Sequence, residues 1–118
     1  REARRSLQLT SKTLRDRSTS IWIFPEGTRN GTDELLPFKK GAFHMAIDAG
    51  VPIVPVCISR YRRTLRLGRW RSGQVRVRAL APIATQGLTH KDTAELLQRC
   101  RAQMQQTIDE LDHELRRA

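Results

Sequence analysis

The sequence has only two cysteines in 118 residues and no long run of apolar residues. Cys57 and Cys100 lie far apart in apolar-patterned segments and lack the paired spacing of a metal site or a redox motif. We interpret them as buried free thiols. No window approaches the roughly 20 apolar residues that span a bilayer, and no charged start followed by an apolar core marks a secretory signal. We therefore predict no metal, no cofactor and no membrane-spanning helix in this part of the protein.

Acidic residues are also scarce, with 12 aspartates and glutamates against 22 lysines and arginines, which gives a net charge of +10. Net charge concerns association rather than fold, and this excess indicates an anionic partner. Nucleic acid, an anionic membrane face and acidic small molecules or carriers all remain candidates. The length allows one domain with a modest core. Because the chain begins at Arg1 with a polar, helix-compatible run, we expect a fragment of a longer protein.

The first half of the chain predicts a helix, a strand, a long loop and a second helix. Residues 6–17 form a surface helix with a narrow apolar stripe. The β-branched and aromatic run at 20–24 predicts a buried strand. Residues 25–37 are rich in turn formers and predict a loop whose length is often functional. Residues 39–49 predict a helix that is capped at its C-terminal end by Gly50.

The second half predicts two strands and a long helix. Residues 51–58 are almost wholly apolar, typical of a strand covered on both faces, with regular pairing from near Val56 because two prolines precede it. Residues 74–80 alternate valine and arginine, which indicates a half-solvated strand. Thr89 begins a helix with Asp92 at the capping-box spacing, and its apolar stripe should pack on the sheet.

These elements together predict an α/β fold. The strand at 20–24, the helix and the strand at 51–58 form a right-handed βαβ unit. We expect a mostly parallel sheet with flanking helices, incomplete at its N-terminus, with residues 1–118 as the C-terminal portion of a single domain. No repeat or second domain is visible.

The loop after the first strand carries four residues that each have a distinct use if the ligand is a phosphate monoester. Arg29 offers a planar fork that can bind two phosphate oxygens at once. Gly27 allows the backbone to approach a ligand closely, and Thr28 adds a hydroxyl donor. Glu26 would repel a phosphate, so we expect it to hold the loop by accepting hydrogen bonds, or to bind a glycerol hydroxyl. These four residues alone fit a salt-bridged turn without a ligand equally well.

Three longer blocks carry a more specific signal. They are Ile-Trp-Ile-Phe-Pro-Glu-Gly-Thr-Arg at 21–29, Leu-Pro-Phe-Lys-Lys-Gly-Ala-Phe at 36–43 and Gly-Val-Pro-Ile-Val-Pro-Val at 50–56. Their order and spacing closely resemble the 1-acylglycerol-3-phosphate acyltransferase family. The resemblance implies transfer of a fatty acyl group from acyl-carrier protein or coenzyme A to the sn-2 hydroxyl of lysophosphatidic acid, which gives phosphatidic acid. It also implies a membrane-associated enzyme on the cytoplasmic face of the inner membrane.

The resemblance assigns roles to residues of both motifs. It implies that the acceptor phosphate is bound by the block at 24–29, including Glu26, Gly27 and Thr28, with Arg29 as the principal ligand and Lys39 as a second cation. It implies an acyl-chain or acyl-donor site at the twin-proline segment. The residues of that segment are Pro52, Ile53, Val54, Pro55 and Val56.

The catalytic signature of the family is missing from the sequence. That signature is a histidine, the general base, with an aspartate five positions later. His44 is followed by Asp48 one position too early, and His90 has Glu95 at the right distance but on a solvated helix start. His113 has no acid ahead of it. We therefore assign no catalytic residue in this chain, interpret His44 as structural, and expect the catalytic pair upstream of Arg1.

An arginine-rich stretch at 60–73 suggests an alternative, a nucleic-acid-binding module in which Tyr61 and Trp70 stack on bases. The same composition suits an enzyme at an anionic bilayer surface or one that binds the acidic acyl-carrier protein. We do not expect nucleic acid, because that hypothesis leaves the loop at 24–29 and the twin-proline segment unexplained. A different lyso-lipid acceptor also remains open.

Overall fold

The structure is a computed structural model that describes residues 2–17, 19–27, 34–60 and 73–117. Its elements in chain order are α1 (Glu2–Arg17), α2 (Gly41–Ala49), β1 (Val56–Ile58), β2 (Val77–Ala79), a short 3-10 turn (His90–Asp92) and α3 (Thr93–Arg117). Helices and a small sheet pack together, which confirms the α/β class at this coarse level.

Helix α2 is confirmed at the predicted place and begins two residues later than predicted. Gly50 ends it with a φ of +67°, a left-handed conformation that glycine adopts at little cost. One side of α2 packs on α1, where Leu14 joins Met45 and Ala49 in a small cluster. The opposite side sends Phe43 into the main core. The helix is therefore held between two layers.

Helix α3 packs along one side of the main hydrophobic core. Its predicted cap is present, because the Asp92 carboxylate accepts a hydrogen bond from the Thr89 N–H at 2.8 Å and the Thr89 hydroxyl accepts from the backbone N–H of Lys91 at 3.3 Å. The predicted apolar stripe is buried over most of its length and packs on α2 and β1. Its buried members are Leu97, Cys100, Met104, Ile108 and Leu111.

Strands β1 and β2 pair antiparallel, with Cys57 opposite Arg78. Regular pairing begins at Val56 as predicted, and the prolines lie before it. The described residues do not cover this strand on both faces as predicted. Cys57 is buried against α3, whereas Val54 and Ile58 on the same apolar run are exposed. One face of the sheet therefore remains open among the described residues.

The predicted buried strand at residues 20–24 is not formed. The segment has no strand assignment, and Trp22 and Phe24 are 65% and 72% exposed. A strand requires a hydrogen-bonded neighbour, and no described segment forms a ladder with this one. For the same reason the βαβ unit and the mostly parallel sheet are not formed by the described residues, whose sheet is two-stranded and antiparallel.

Ion pairs join β2 and the residue just before it to α3. Arg76 and Arg78 both bind the Glu114 carboxylate, at 2.9 and 2.8 Å, and Arg78 also reaches Glu110. The hydrogen bond from Arg78 lowers the pKa of Glu114 and outweighs the smaller effect of desolvation, which raises that pKa. The arginine side of the half-solvated strand thus faces the helix, and Val77 on the other side is exposed. Just after β1, the Asp112 carboxylate accepts hydrogen bonds from the backbone and side chain of Arg60.

Candidate functional site

Backbone hydrogen bonds shape the start of the long loop and join its two ends. The N–H of Gly27 donates to the Phe24 carbonyl at 3.0 Å, which makes a tight turn, and Gly27 takes a φ of +70° there. On the other stem, the N–H of Lys39 donates to the Pro25 carbonyl at 2.7 Å. The two ends of the loop therefore lie next to each other. The tip of the loop is outside the described residues.

Glu26 ties the stems together a second time. Its Oε2 accepts a hydrogen bond from the backbone N–H of Leu36 at 3.0 Å, and the side chain is half-buried. This geometry fits the loop-holding role that we expected from the chemistry of an acid beside a phosphate. A carboxylate engaged by a backbone donor is oriented along the loop rather than left free to swing towards an anion.

Lys39 passes directly over Gly27. A Cβ placed on Gly27 would lie 2.9 Å from Lys39 Cγ and 3.4 Å from its Cε, so the lysine stem follows the turn closely. Helix α2 begins two residues later, and its N-terminal end carries a partial positive charge. A lysine and a helix start therefore both favour an anion beside this turn.

Thr28 and Arg29 lie outside the described residues. Their predicted contacts with a phosphate stay predictions, supported only by the geometry of the stems on either side. The arginine-rich stretch is likewise outside the description between residues 61 and 72, including Tyr61 and Trp70. Its first member, Arg60, is described and contacts Asp109 and Asp112 of α3.

An apolar groove of about 760 Å³ adjoins the loop. Its walls include Trp22 and Phe24, whose rings meet edge to face with centroids 6.5 Å apart. All five predicted acyl-site residues, from Pro52 to Val56, line it as well, and so does Glu26 at the loop stem. The structure therefore brings the two predicted motifs to one groove. Sequence reasoning missed the wall formed by residues 21–24, because it treated these apolar side chains as buried in a sheet.

The histidines lie apart from this groove. His44 is half-buried, with Nδ1 3.1 Å from the Thr93 hydroxyl, which fits the structural role that we assigned to it. His90 Nε2 is 2.5 Å from an oxygen of Asp48, but both side chains are exposed and neither lines the groove. His113 is exposed on α3. Within the described ranges, no group of three potential ligand side chains could hold a metal ion.

The two thiols are buried and free, as predicted. Burial raises the pKa of Cys57, and it raises that of Cys100 to about 11. Both thiols are therefore protonated and poorly nucleophilic at neutral pH. Neither is suited to act as an acyl-accepting nucleophile.

Comparison with known proteins identifies the class. The model of the Acyltransferase family matches residues 1–59, half of the chain, and the chain belongs to this family. Proteins named 1-acyl-sn-glycerol-3-phosphate acyltransferase are among its relatives. The one from Haemophilus influenzae is 41% identical over 97% of this chain and 48% of its own length. The one from Escherichia coli is 48% identical over 86% of this chain and 42% of its own length.

A human relative, the alpha form of the same enzyme, is 46% identical over 80% of this chain and 34% of its own length. Among solved structures, the 1-acyl-sn-glycerophosphate (LPA) acyltransferase PlsC from Thermotoga maritima superimposes with a TM-score of 0.73 at 28% identity. That match covers 91% of this chain and 44% of the solved one. The chain thus spans less than half the length of these relatives. Among the described helices, none combines the length and apolarity that a bilayer span requires.

Proposed function

We propose that this chain binds the acceptor in an acyltransferase that moves a fatty acyl group to the sn-2 hydroxyl of 1-acyl-glycerol-3-phosphate, giving phosphatidic acid. One observation carries the proposal: a polar turn suited to an anion adjoins an apolar groove, and Glu26 belongs to both. An acceptor with a phosphate head and an acyl tail has the same two-part chemistry. The names of the relatives support this acceptor.

Each part of the site has a distinct role in this proposal. Arg29 is the principal phosphate ligand, because a bidentate guanidinium matches two phosphate oxygens. Lys39 supplies a second positive charge, supported by its path over Gly27. Thr28 and the Gly27 backbone complete the cradle. The groove wall from Pro52 to Val56 accommodates the acyl chain or the acyl donor.

The proposal assigns binding rather than proton transfer to these residues. None of the three histidines lines the groove, and the chain spans less than half of its relatives' length, so the general base is proposed to lie on a part of the domain outside residues 1–118. The donor is acyl-carrier protein or coenzyme A charged with a fatty acid. The excess of positive charge supports work at an anionic membrane surface. Its assignment to the cytoplasmic face of the inner membrane rests on the family resemblance.

The finer fold prediction belongs to the same proposal. The apolar run at 21–24 has the composition of a strand, and its exposure supports coverage by a segment outside the described residues, which the proposed mostly parallel sheet would provide.

A binding experiment tests the acceptor site. The chain is titrated calorimetrically with hexanoyl lysophosphatidic acid and, for comparison, with hexanoyl glycerol, which lacks the phosphate. Arg29→Ala should weaken binding of the phosphate-bearing ligand by about 1.5 to 3 kcal/mol, the value of a lost charge-assisted hydrogen bond. Lys39→Ala should weaken it less, because a lysine acts as a single point charge.

Lys40→Ala is the matched control for the second cation. Lys40 is adjacent, exposed and makes no side-chain capping bond at the start of α2, so its loss should leave the affinity unchanged. Equal binding of the two ligands by the unaltered chain, or an unchanged affinity in Arg29→Ala, would overturn the assignment.

A further inference from the structure

Arg101 of α3 donates hydrogen bonds to the later part of the loop at 25–37, here called its exit stem. Its Nη2 donates to the Leu35 carbonyl at 2.7 Å, and its Nε donates to the Leu36 carbonyl at 3.3 Å. The side chain is half-buried, so part of this charged fork is removed from water. Two parallel hydrogen bonds from a planar guanidinium fix both the position and the orientation of the peptide that they hold.

The same peptide segment is held from its other side by the loop's own acid. The N–H of Leu36 donates to Glu26 Oε2, while its carbonyl accepts from Arg101. Glu26 lies within the tight turn that ends at Gly27. Contacts therefore run without a gap from α3 through Leu36 and Glu26 to the entry stem of the loop.

Two other contacts hold this part of the loop, but they do not take over the role of the hydrogen bonds from Arg101. The Leu35 side chain packs at the edge of the main core, and the Lys39 to Pro25 hydrogen bond closes the stems further along. Neither fixes the direction of the Leu36 carbonyl, while the Leu35 carbonyl shares a planar peptide with the Leu36 N–H that Glu26 binds. Without Arg101 this stretch of the stem would gain conformational freedom, and that freedom must be lost again when a ligand binds.

We propose that Arg101 is a positioning residue for the acceptor phosphate, which preorganises the loop through Leu36 and Glu26 without touching the ligand. This inference rests on the proposed function of the loop. It adds a residue from the far end of the chain to a site that the sequence motifs confine to residues 24–56. It also predicts that α3 contributes to acceptor affinity and not only to the core.

The test compares Arg101→Gln and Arg101→Lys with Arg99→Gln, an exposed arginine on the same helix. Calorimetry gives the dissociation constants for hexanoyl lysophosphatidic acid and hexanoyl glycerol, and thermal unfolding gives the stability of each variant. Arg101→Gln should raise the dissociation constant of the phosphate-bearing ligand about fivefold, through lost preorganisation, and leave that of the neutral ligand unchanged. Arg101→Lys should recover part of the affinity, and Arg99→Gln should behave like the unaltered chain.

A double-mutant cycle separates positioning from simple structural support. If Arg101 acts through Glu26, then Glu26→Ala and Arg101→Gln together should weaken binding by less than the product of the two separate effects. Equal weakening of both ligands, in step with the fall in thermal stability, would show a structural role only and overturn the inference. So would an unchanged affinity in Arg101→Gln while Arg29→Ala weakens binding. An unchanged affinity in Arg29→Ala would overturn the proposed function itself, and the positioning role with it.

Discussion

Replacing Gly27 with alanine tests the geometry of the loop stem most directly. Gly27 has a φ of +70°, a conformation that costs an L-residue about 1 to 2 kcal/mol. The new Cβ would also lie 2.9 Å from Lys39 Cγ, well inside ordinary van der Waals distance. Crowding of this kind costs about a further 1 kcal/mol, because the lysine stem must shift away from the turn.

Gly50→Ala provides the matched control. Gly50 has nearly the same φ, +67°, but a Cβ there meets nothing within 4 Å. Both substitutions also reduce the freedom of the unfolded chain by the same amount, so this effect cancels when they are compared. The difference between the two losses of unfolding free energy, measured by urea denaturation and circular dichroism, therefore isolates the contact with Lys39.

Adding Lys39→Ala to each variant completes the experiment. It should recover the extra loss in Gly27→Ala, because the crowding atom is gone, and change little in Gly50→Ala. Gly27→Ala should also weaken binding of hexanoyl lysophosphatidic acid, whereas Gly50→Ala should not. Equal losses of stability in the two alanine variants, with no effect of Lys39→Ala on their difference, would refute the close passage of Lys39 over the turn.

Three further predictions concern the core and its edge. Because the folded-state pKa of Cys100 is about 11, above the ordinary 9.0, the unfolded chain loses this proton first and stability should fall as the pH rises through that interval. Ellman's reagent should react with Cys57 and Cys100 only after guanidinium unfolding; rapid labelling of the folded chain would contradict their burial. Asp112→Ala should lower the unfolding free energy by about 1 to 3 kcal/mol, since it leaves the backbone N–H and guanidinium of Arg60 without this acceptor. Glu110→Ala removes only exposed contacts, with Arg78 at 3.4 Å and with Gln106 at 3.3 Å, and should cost clearly less; equal urea midpoints for the two would count against the Arg60 contact.

Local signals in the sequence were sufficient to predict α2 and α3. Gly50 ends α2 because glycine tolerates a left-handed φ, and this preference depends on the residue itself. The cap formed by Thr89 and Asp92 involves residues only three apart, so its spacing is visible in the sequence. The apolar stripe of α3 follows the helical period and is buried as that period predicts.

The apolar run at 20–24 shows where such local reasoning fails. Its composition favours a strand, but a strand also needs a neighbour, and composition says nothing about which segment that is. The same limit applies to residues 51–58. Their pattern predicted burial on two faces, whereas β1 is covered by α3 on one face only, with Cys57 inside and Ile58 exposed. Hydrophobicity predicts that a surface can be buried; the partner decides whether it is.

The candidate site likewise combines features that the local sequence predicts with features that depend on distant partners. Residue chemistry alone predicted that Glu26 either holds the loop or binds a glycerol hydroxyl, because an acid repels an anion wherever the chain places it, and its hydrogen bond with Leu36 is compatible with the first role. The contacts that orient the loop span longer distances in sequence: Glu26 meets Leu36, and Leu36 meets Arg101. An arginine on a helix face is ordinarily solvated, so nothing in the local pattern distinguishes Arg101 from Arg99. A motif therefore locates the groups that can touch a ligand, while the residues that hold those groups in place become visible only when the chain is folded.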